Sequence, residues 1–190
     1  MKRFEYLLTD DTLIVKGKFF GVSTGINGGI RRVNYVFNHT VKNYIEDEEK
    51  YLRSVAKKYG LKKYFGMLTA VNIDDYAFSN DGEVTVFATA GLKNPNEKIG
   101  TVNIIAVLDC KVKSSTLLNS IITITEAKSS ALLSLGYNFT GTTSDAVVVV
   151  ATQRGNLHRY AGYATELGRH IWVATKKSVM ESVKKWQEGI

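Results

Sequence analysis

A strand, helix and strand between Gly100 and Val150 constrain the fold of this chain more than any other segment. The unit begins with the apolar run GTVNIIAVLD and ends with TGTTSDAVVVV, and both runs have the length and β-branched content of strands. Between them, STLLNSIITITEAKSSALLSLG has apolar residues at helical spacing. Ser114 or Ser115 could cap the helix, and Gly136 could end it. This alternation is typical of α/β domains.

Lys128 is the unexpected residue of this helix, because a helical wheel places it in the middle of the apolar side. A buried charge is costly unless it is paired or hydrated. Either the lysine stem packs while the ammonium reaches solvent, or the ammonium lies in a cleft for a substrate or a carboxylate partner. Glu126 lies at the edge of the same face but cannot pair with Lys128, since residues two apart do not face each other.

The rest of the chain predicts further strands and two more helices. Short runs at residues 4–8, 12–15 and 19–22, with turns at 9–11 and 16–18, predict an N-terminal antiparallel meander. Further strands are predicted at residues 30–37, 65–71 and 84–90, helices from about 45 to 59 and from Thr165 onward, turns at 74–75 and 79–82, and a hairpin-like turn within 152–159. We therefore expect one α/β domain over residues 1–190, with a mixed sheet of about six to eight strands packed by about three helices.

Composition excludes several classes of protein. The single Cys110 rules out an internal disulfide and a cysteine-based zinc site, and its position at a strand end favours a buried, inert thiol. No apolar run approaches the ~20 residues of a membrane span, and the N-terminus does not have the pattern of a signal peptide, so we expect a soluble, cytoplasmic protein. The net charge of +7 permits nucleic-acid binding, but the basic residues are dispersed and no recognition motif accompanies them. We expect no nucleic-acid partner.

Polar residues gather in loops at predicted strand ends, where α/β sheets bind ligands. The candidate substrate-binding residues are Asn27, Gly28, Gly29, Thr89, Gly91, Asn94, Asn103, Thr140 and Gly141. Thr142, Ser144 and Asp145 complete the last loop, which could bind phosphate, orient a water or supply a nucleophile. His39 lies at another strand end and could act as an acid, a base or a metal ligand. Each motif alone is unspecific, and a turn without a ligand accounts equally well for the paired glycines.

Six short blocks in a fixed order are more informative than any one loop. They are NGGI, FATAGLKN, GTVNII, TEAKSSAL, TGTTSDAVVV and RYAGYATELG. In this combination the chain resembles the adenosylcobinamide amidohydrolase family of corrinoid salvage, from about Ser23 to the last helix. The family pattern near the fifth block is closer to TGTGTD, so Thr143 stands where glycine is expected and Ser144 where threonine is expected.

The resemblance implies hydrolysis of the amide that joins a corrin propionate arm to aminopropanol. The products would be adenosylcobyric acid and 1-aminopropan-2-ol, which return a scavenged corrinoid to cobalamin synthesis. The partner is therefore a corrinoid small molecule, and the cobalt is carried by the substrate, so the protein needs no metal or other cofactor of its own. Trp172 and Trp186 on the last helix could equally serve a core or the interface of a homo-oligomer.

Amide hydrolysis needs an activated nucleophile, stabilisation of an oxyanion and a proton for the leaving amine. Our hypothesis is that Asp145 or Glu126 activates a water, or the hydroxyl of Thr142 or Ser144. Lys128 or loop N–H groups would hold the oxyanion, and His39 is a reserve proton donor. The alternative is a module that binds a corrinoid or a nucleotide through the same loops without chemistry.

Overall fold

The computed structural model describes residues 3–92 and 100–189. Within these ranges the chain forms ten strands, three α-helices and one short 3₁₀ helix at Ile73–Asp75. The strands are β1 (Phe4–Leu8), β2 (Thr12–Ser23), β3 (Gly29–Thr40), β4 (Tyr64–Thr69), β5 (Ala77–Asp81), β6 (Val84–Gly91), β7 (Thr101–Leu108), β8 (Lys111–Val112), β9 (Ala146–Ala151) and β10 (Leu157–His158). The helices are α1 (Glu48–Lys58), α2 (Ser114–Ser134) and α3 (Glu166–Glu188).

Among the described residues, eight strands form one mixed sheet. Its order is β4-β3-β2-β9-β7-β6-β5, and β1 pairs with β2 outside this path. The pairs β3/β4 and β7/β9 are parallel, and each is joined by a connection that contains a helix, α1 in the first and α2 in the second. The other pairs of this sheet are antiparallel. The predicted mixed α/β sheet with three helices is therefore confirmed.

Strand β2 differs from the prediction, which divided it at a turn over residues 16–18. The chain instead continues as one strand with an irregularity between Lys16 and Phe19 in its pairing with β3. Gly17 pairs with Phe4 of β1, and this pairing keeps residues 16–18 extended where the prediction had a turn. The last four residues of β2, from Phe20, pair with β9. One long strand thus belongs to both halves of the sheet.

Three clusters of buried residues show how the layers pack. One cluster joins the two halves of the sheet and includes Val36 and Met67 on one side and Ile105 and Val148 on the other. A second lies between the β6/β7/β9 half and helices α2 and α3, and a third lies between β3 and α1. The sheet therefore curls on itself, with α1 outside one half and α2 and α3 outside the other. Burial of these apolar side chains is the main stabilising term of such a core.

The ends of the helices follow local capping chemistry only in part. Asp47 accepts a hydrogen bond from the backbone N–H of Lys50, so α1 begins at Glu48, three residues later than predicted. Thr165 caps α3 as predicted, by accepting from the backbone N–H of Gly168 at 3.1 Å. Helix α2 has no side-chain cap bond, so the expected serine cap is wrong. Its end is as predicted, with Gly136 in the left-handed region at φ +87°.

Two segments that were predicted as turns contain strands. The predicted turn at residues 79–82 overlaps β5, which continues to Asp81. Only Gly82, with φ +50°, lies outside the strand. The predicted hairpin within residues 152–159 is also wrong, because β10 pairs in parallel with β8, a segment distant in the chain. No helix among the described residues is long and apolar enough to cross a membrane.

Candidate active site at the Lys128–Asp145 pair

The polar loops meet at one end of the sheet because of the strand register. Ser23, at the end of β2, pairs with Val148 near the start of β9, and Ala146 of β9 pairs with Asn103 of β7. Gly91, at the end of β6, pairs with Thr101 at the start of β7. The structure therefore brings three segments to the same end of the sheet. They are the glycine loop after β2, the loop before β9 and the end of β6. Asn94 lies outside the described residues.

Lys128 and Asp145 form a buried ion pair at this end of the sheet. The ammonium of Lys128 contacts the Oδ2 atom of Asp145, and the two side chains are 8% and 13% exposed. Helix α2 holds the lysine, and the loop before β9 holds the aspartate. Of the two interpretations that the helical wheel left open, the structure has the buried ammonium with a carboxylate partner.

The carboxylate of Asp145 organises its own loop as well. Its Oδ1 atom accepts from the hydroxyl of Thr142 at 2.6 Å and from the backbone N–H of Val102 at 2.9 Å. Its Oδ2 atom also accepts from the backbone N–H of Thr142 at 3.1 Å. With Lys128, four donors occupy the roughly four acceptor positions of a carboxylate. An ammonium has three N–H donors, so Lys128 keeps two beyond the one directed at Asp145.

Gly141 is required by the close packing of this pair. A Cβ atom at this position would overlap Nζ of Lys128 and Oδ2 of Asp145. The neighbouring Thr143 is exposed, and it is not among the described residues that have a positive φ. The threonine that replaces the glycine of the resembled pattern therefore fits without backbone strain.

The other hydroxyl-bearing residues of this loop contact other parts of the protein. Ser144 is exposed, and its hydroxyl donates to the carbonyl of Gly100 at 3.2 Å. Thr140 is also exposed, and its carbonyl accepts from the hydroxyl of Ser129 at 3.2 Å. Of the two hydroxyls proposed from the sequence as nucleophiles, Thr142 is the one whose hydroxyl contacts a carboxylate.

A buried amide network lies next to the site and includes a residue that the sequence analysis did not select. Asn38 of β3 donates from Nδ2 to the hydroxyl of Thr89 at 2.8 Å, and Asn103 donates to Oδ1 of Asn38 at 2.9 Å. Asn103 also donates to the carbonyl of Leu68 at 2.8 Å, and its Oδ1 accepts from Thr101 at 3.1 Å. The available signal for Asn38 was its place directly after the apolar Val36 and Phe37, at the end of a predicted strand.

The glycine loop after β2 uses its polar groups within the protein. The side chain of Asn27 donates to the carbonyl of Tyr64 at 3.2 Å and accepts from the backbone N–H of Gly66 at 3.0 Å. Arg31 binds the carbonyls of Asn27 and Gly28 at 2.5 and 2.6 Å. A Cβ at Gly28 would lie 2.5 Å from the carbonyl oxygen of Ser23. Gly29 has φ +104°, so both glycines are needed for the turn itself.

Glu126 and His39 do not join the pair. Glu126 is exposed on α2, which agrees with its place at the edge of the helical face. His39 is buried against β2 and α1, where Nδ1 lies 2.7 Å from the hydroxyl of Thr12 and Nε2 lies 3.1 Å from that of Tyr51. Burial lowers the pKa of His39, although nearby Asp11 opposes this shift.

The chain is similar to known proteins over most of its length. The family described as adenosylcobinamide amidohydrolase matches residues 15–189. The chain belongs to this family. An adenosylcobinamide amidohydrolase of Methanosarcina mazei is 41% identical over 190 aligned residues, which cover 92% of this chain and 95% of the relative.

Two further relatives have lower sequence identity to this chain. An adenosylcobinamide amidohydrolase of Halobacterium salinarum is 31% identical, with coverage of 86% of this chain and 78% of the relative. An uncharacterized protein of Methanocaldococcus jannaschii is 29% identical, with coverage of 92% and 86%. The resemblance first drawn from six short blocks is thus confirmed over nearly the whole chain.

Two of those blocks, TEAKSSAL and TGTTSDAVVV, supply the two sides of the ion pair in this member of the adenosylcobinamide amidohydrolase family. A third, GTVNII, supplies the Val102 N–H and the Asn103 amide. The site thus contains a hydroxyl that donates a hydrogen bond to a carboxylate. It also contains the ammonium group of Lys128 and backbone N–H groups. These are the kinds of group that acyl transfer from an amide requires.

Proposed function

We propose that this protein hydrolyses the amide of adenosylcobinamide that joins the corrin propionate arm to aminopropanol. The products are adenosylcobyric acid and 1-aminopropan-2-ol, and the reaction serves the salvage of corrinoids in the cytoplasm. Family membership supports the class of reaction. The observation on which the proposal depends is the 2.6 Å hydrogen bond from the Thr142 hydroxyl to Asp145, whose carboxylate is paired with Lys128.

In the proposed reaction Thr142 is the nucleophile. Its oxygen attacks the amide carbon while Asp145 takes the hydroxyl proton through the existing hydrogen bond. The C–N bond then breaks, and the proton passes to the nitrogen of the departing aminopropanol. Water hydrolyses the resulting ester, which returns the proton to Thr142 and releases the carboxylic acid.

The remaining roles follow from charge and position. The two N–H donors of Lys128 that do not contact Asp145 would stabilise the tetrahedral oxyanion. We propose that the corrinoid lies over this end of the sheet, on the residues around Gly28, Thr89, Gly91 and Thr140. Asn103 would act through the buried network that fixes Thr101 below the loop. The reaction as proposed uses no metal bound at this site, since the cobalt enters with the substrate.

The decisive assay incubates the purified protein with adenosylcobinamide and detects both products by mass spectrometry. We expect Thr142→Val, Asp145→Asn and Lys128→Met each to lower turnover by about 100-fold or more, while the fold is checked by circular dichroism. Thr142→Ser should keep most of the activity because it keeps the hydroxyl. Ser144→Ala is the matched control in the same loop and should leave turnover within about threefold of the wild type.

Other outcomes distinguish the alternatives. Full activity of Thr142→Val with loss of activity in Asp145→Asn would assign the attack to a water activated by Asp145 and would contradict the nucleophile proposed here. Saturable binding of the corrinoid without either product would instead indicate a non-catalytic binding module. Full activity of both Asp145→Asn and Lys128→Met would exclude this ion pair as the catalytic centre.

A further inference from the structure

A second group of chemically versatile side chains lies at the opposite end of β7 from the ion pair. Glu83 precedes β6, Cys110 follows β7, and His158 belongs to β10. One ligand atom from each of the three residues lies within 4.8 Å of the other two. The carboxylate of Glu83 and Nε2 of His158 are 2.7 Å apart. Three segments that are distant in the sequence thus converge on one point.

We propose that Glu83, Cys110 and His158 form a binding site for a thiophilic divalent cation of the Zn²⁺ type. A single cysteine excludes a zinc site built from cysteines, as the composition indicated, but it can contribute to a mixed site. A thiolate, an imidazole and a carboxylate are all established ligands of Zn²⁺, and three protein ligands leave the fourth tetrahedral position for water. A sulfur ligand disfavours Mg²⁺ and Ca²⁺, which prefer oxygen ligands. The cation would take the place of the present contact between Glu83 and His158 and would displace the thiol proton of Cys110.

The environment of Cys110 is the second observation that supports a ligand. Its side chain is fully buried, and no hydrogen bond to its Sγ atom is present among residues 3–92 and 100–189. The thiol can therefore turn toward the other two ligands without breaking a hydrogen bond, although it remains packed in the core. Side chains of Glu83 and His158 are 31% and 13% exposed, which leaves one side open for an entering cation and its water.

The backbone around the three residues is already fixed. Asp109 donates from its backbone N–H to the carbonyl of Glu83 at 2.8 Å, and Gln153 donates to the carbonyl of Cys110 at 3.1 Å. His158 is paired with Val112 in the small parallel sheet. Gln153 has φ 57°, a backbone region that is costly for a residue with a side chain. Its side chain makes two hydrogen bonds to the backbone of Val112, which hold this strained turn in place.

Local charge does not oppose a cation at this position. Arg3 lies at the same end of the sheet, but it is paired with Asp109 at 3.2 Å, so its charge is compensated there. Asp109 also accepts from the hydroxyl of Thr152 at 2.8 Å, which makes it part of the support rather than a ligand. Asn156 lies 3.5 Å from the second oxygen of Glu83 and orients that carboxylate.

The test is a Co²⁺ titration of the full-length protein after treatment with a chelator. Wild-type protein should bind one equivalent of Co²⁺ and develop the near-ultraviolet charge-transfer absorption of a thiolate–cobalt bond. Added Zn²⁺ should remove this absorption and raise the melting temperature. Cys110→Ala should abolish the absorption, and His158→Gln should weaken binding by about 10- to 100-fold or more.

His170→Gln is the matched control, because His170 is paired with Asp81 at 2.7 Å in a histidine–carboxylate pair without the thiol. It should bind Co²⁺ as the wild type does. Absence of the charge-transfer absorption in folded wild-type protein at equimolar Co²⁺ would overturn the proposal. Undiminished binding by folded His158→Gln would do the same. The wild-type spectrum decides the question even if Cys110→Ala fails to fold, since Cys110 is a core residue.

Discussion

The loop before β9 brings the backbone of Gly141 so close to the ion pair that no side chain fits at this position. The ammonium of Lys128 and the carboxylate of Asp145 occupy the volume that a Cβ at this position would need. Thr143, two residues later, is exposed. Adjacent small changes in one loop should therefore have very different consequences.

We expect Gly141→Ala to separate Lys128 from Asp145 and to lower both activity and stability. The expected loss is about 1–3 kcal/mol of unfolding free energy, the usual cost of forcing an extra methyl group into a packed site. Urea denaturation and the product assay would measure the two effects. The control is Thr143→Gly, which introduces the glycine expected from the resemblance and should change stability by about 1 kcal/mol or less. Equal effects of the two substitutions would contradict this account.

Sequence information defined part of this site and left another part hidden. The charge of Lys128 on an apolar helical face indicated that it needed a partner, and the chain contained a candidate carboxylate in Asp145. Their pairing was not predictable, because it depends on how α2 lies against the loop. The Asn38–Asn103 contact was hidden for a similar reason: it joins strands whose order in the sheet the sequence does not contain.

At the scale of elements, a polar cluster fastens α1 to the turn between β1 and β2. Asp11 accepts from the hydroxyl of Tyr59 at 2.5 Å, from that of Thr12 at 2.6 Å and from the ammonium of Lys58 at 2.9 Å. Burial tends to raise the pKa of Asp11, but the hydrogen bonds from Thr12, Tyr59 and Lys58 outweigh it and hold the pKa well below its usual range. The ionised carboxylate is thus the form that secures the helix.

This cluster predicts a specific dependence of stability on pH. The pKa of Asp11 is lower in the folded protein than its unfolded value of about 3.9, so the stabilisation is fully present above about pH 4 and declines as pH falls further. Asp11→Asn should lower the unfolding free energy by about 1.5–3 kcal/mol at neutral pH. The difference from wild type should shrink below about pH 4 in urea titrations. The exposed neighbour provides a control, since Asp10→Asn should show neither effect.

Elements with strong local signals were predictable, and elements defined by pairing with another strand were not. Thr165 and Gly136 mark helix ends through their own backbone chemistry, so they were found from the sequence. Strand β5 has polar residues at its end and becomes a strand through its pairing with β6, where Ser79 lies opposite Val86. Residues 16–18 have turn-forming character that pairing with β1 overrides.

At the scale of the whole molecule, the amide network connects the two halves of the curled sheet. Asn38 belongs to β3 in one half, and Asn103 and Thr89 belong to β7 and β6 in the other. All three are almost completely buried. An unpaired buried polar group is costly, so these contacts are coupled: each residue satisfies a group that would otherwise be left without a partner.

We expect Asn38→Ala and Asn103→Ala each to lower the unfolding free energy by about 1–3 kcal/mol, because each leaves buried polar groups unsatisfied. The double variant should lose less than the sum, by about 0.5 kcal/mol or more, since the two residues share a hydrogen bond. Denaturation of the four proteins in urea measures this coupling. Asn34→Ala, an exposed asparagine on the same strand as Asn38, should have little effect. Strict additivity would contradict a direct connection between the halves.

The position of β9 has a consequence for how the chain folds during synthesis. This strand lies between β2 and β7 in the sheet, yet residues 146–151 are synthesised after both of these neighbours. Until then β2 and β7 each expose an unpaired strand edge, the kind of surface that pairs readily with another chain. A nascent chain of this protein therefore exposes both edges until β9 is made, and any fragment that ends before residue 146 should aggregate rather than fold.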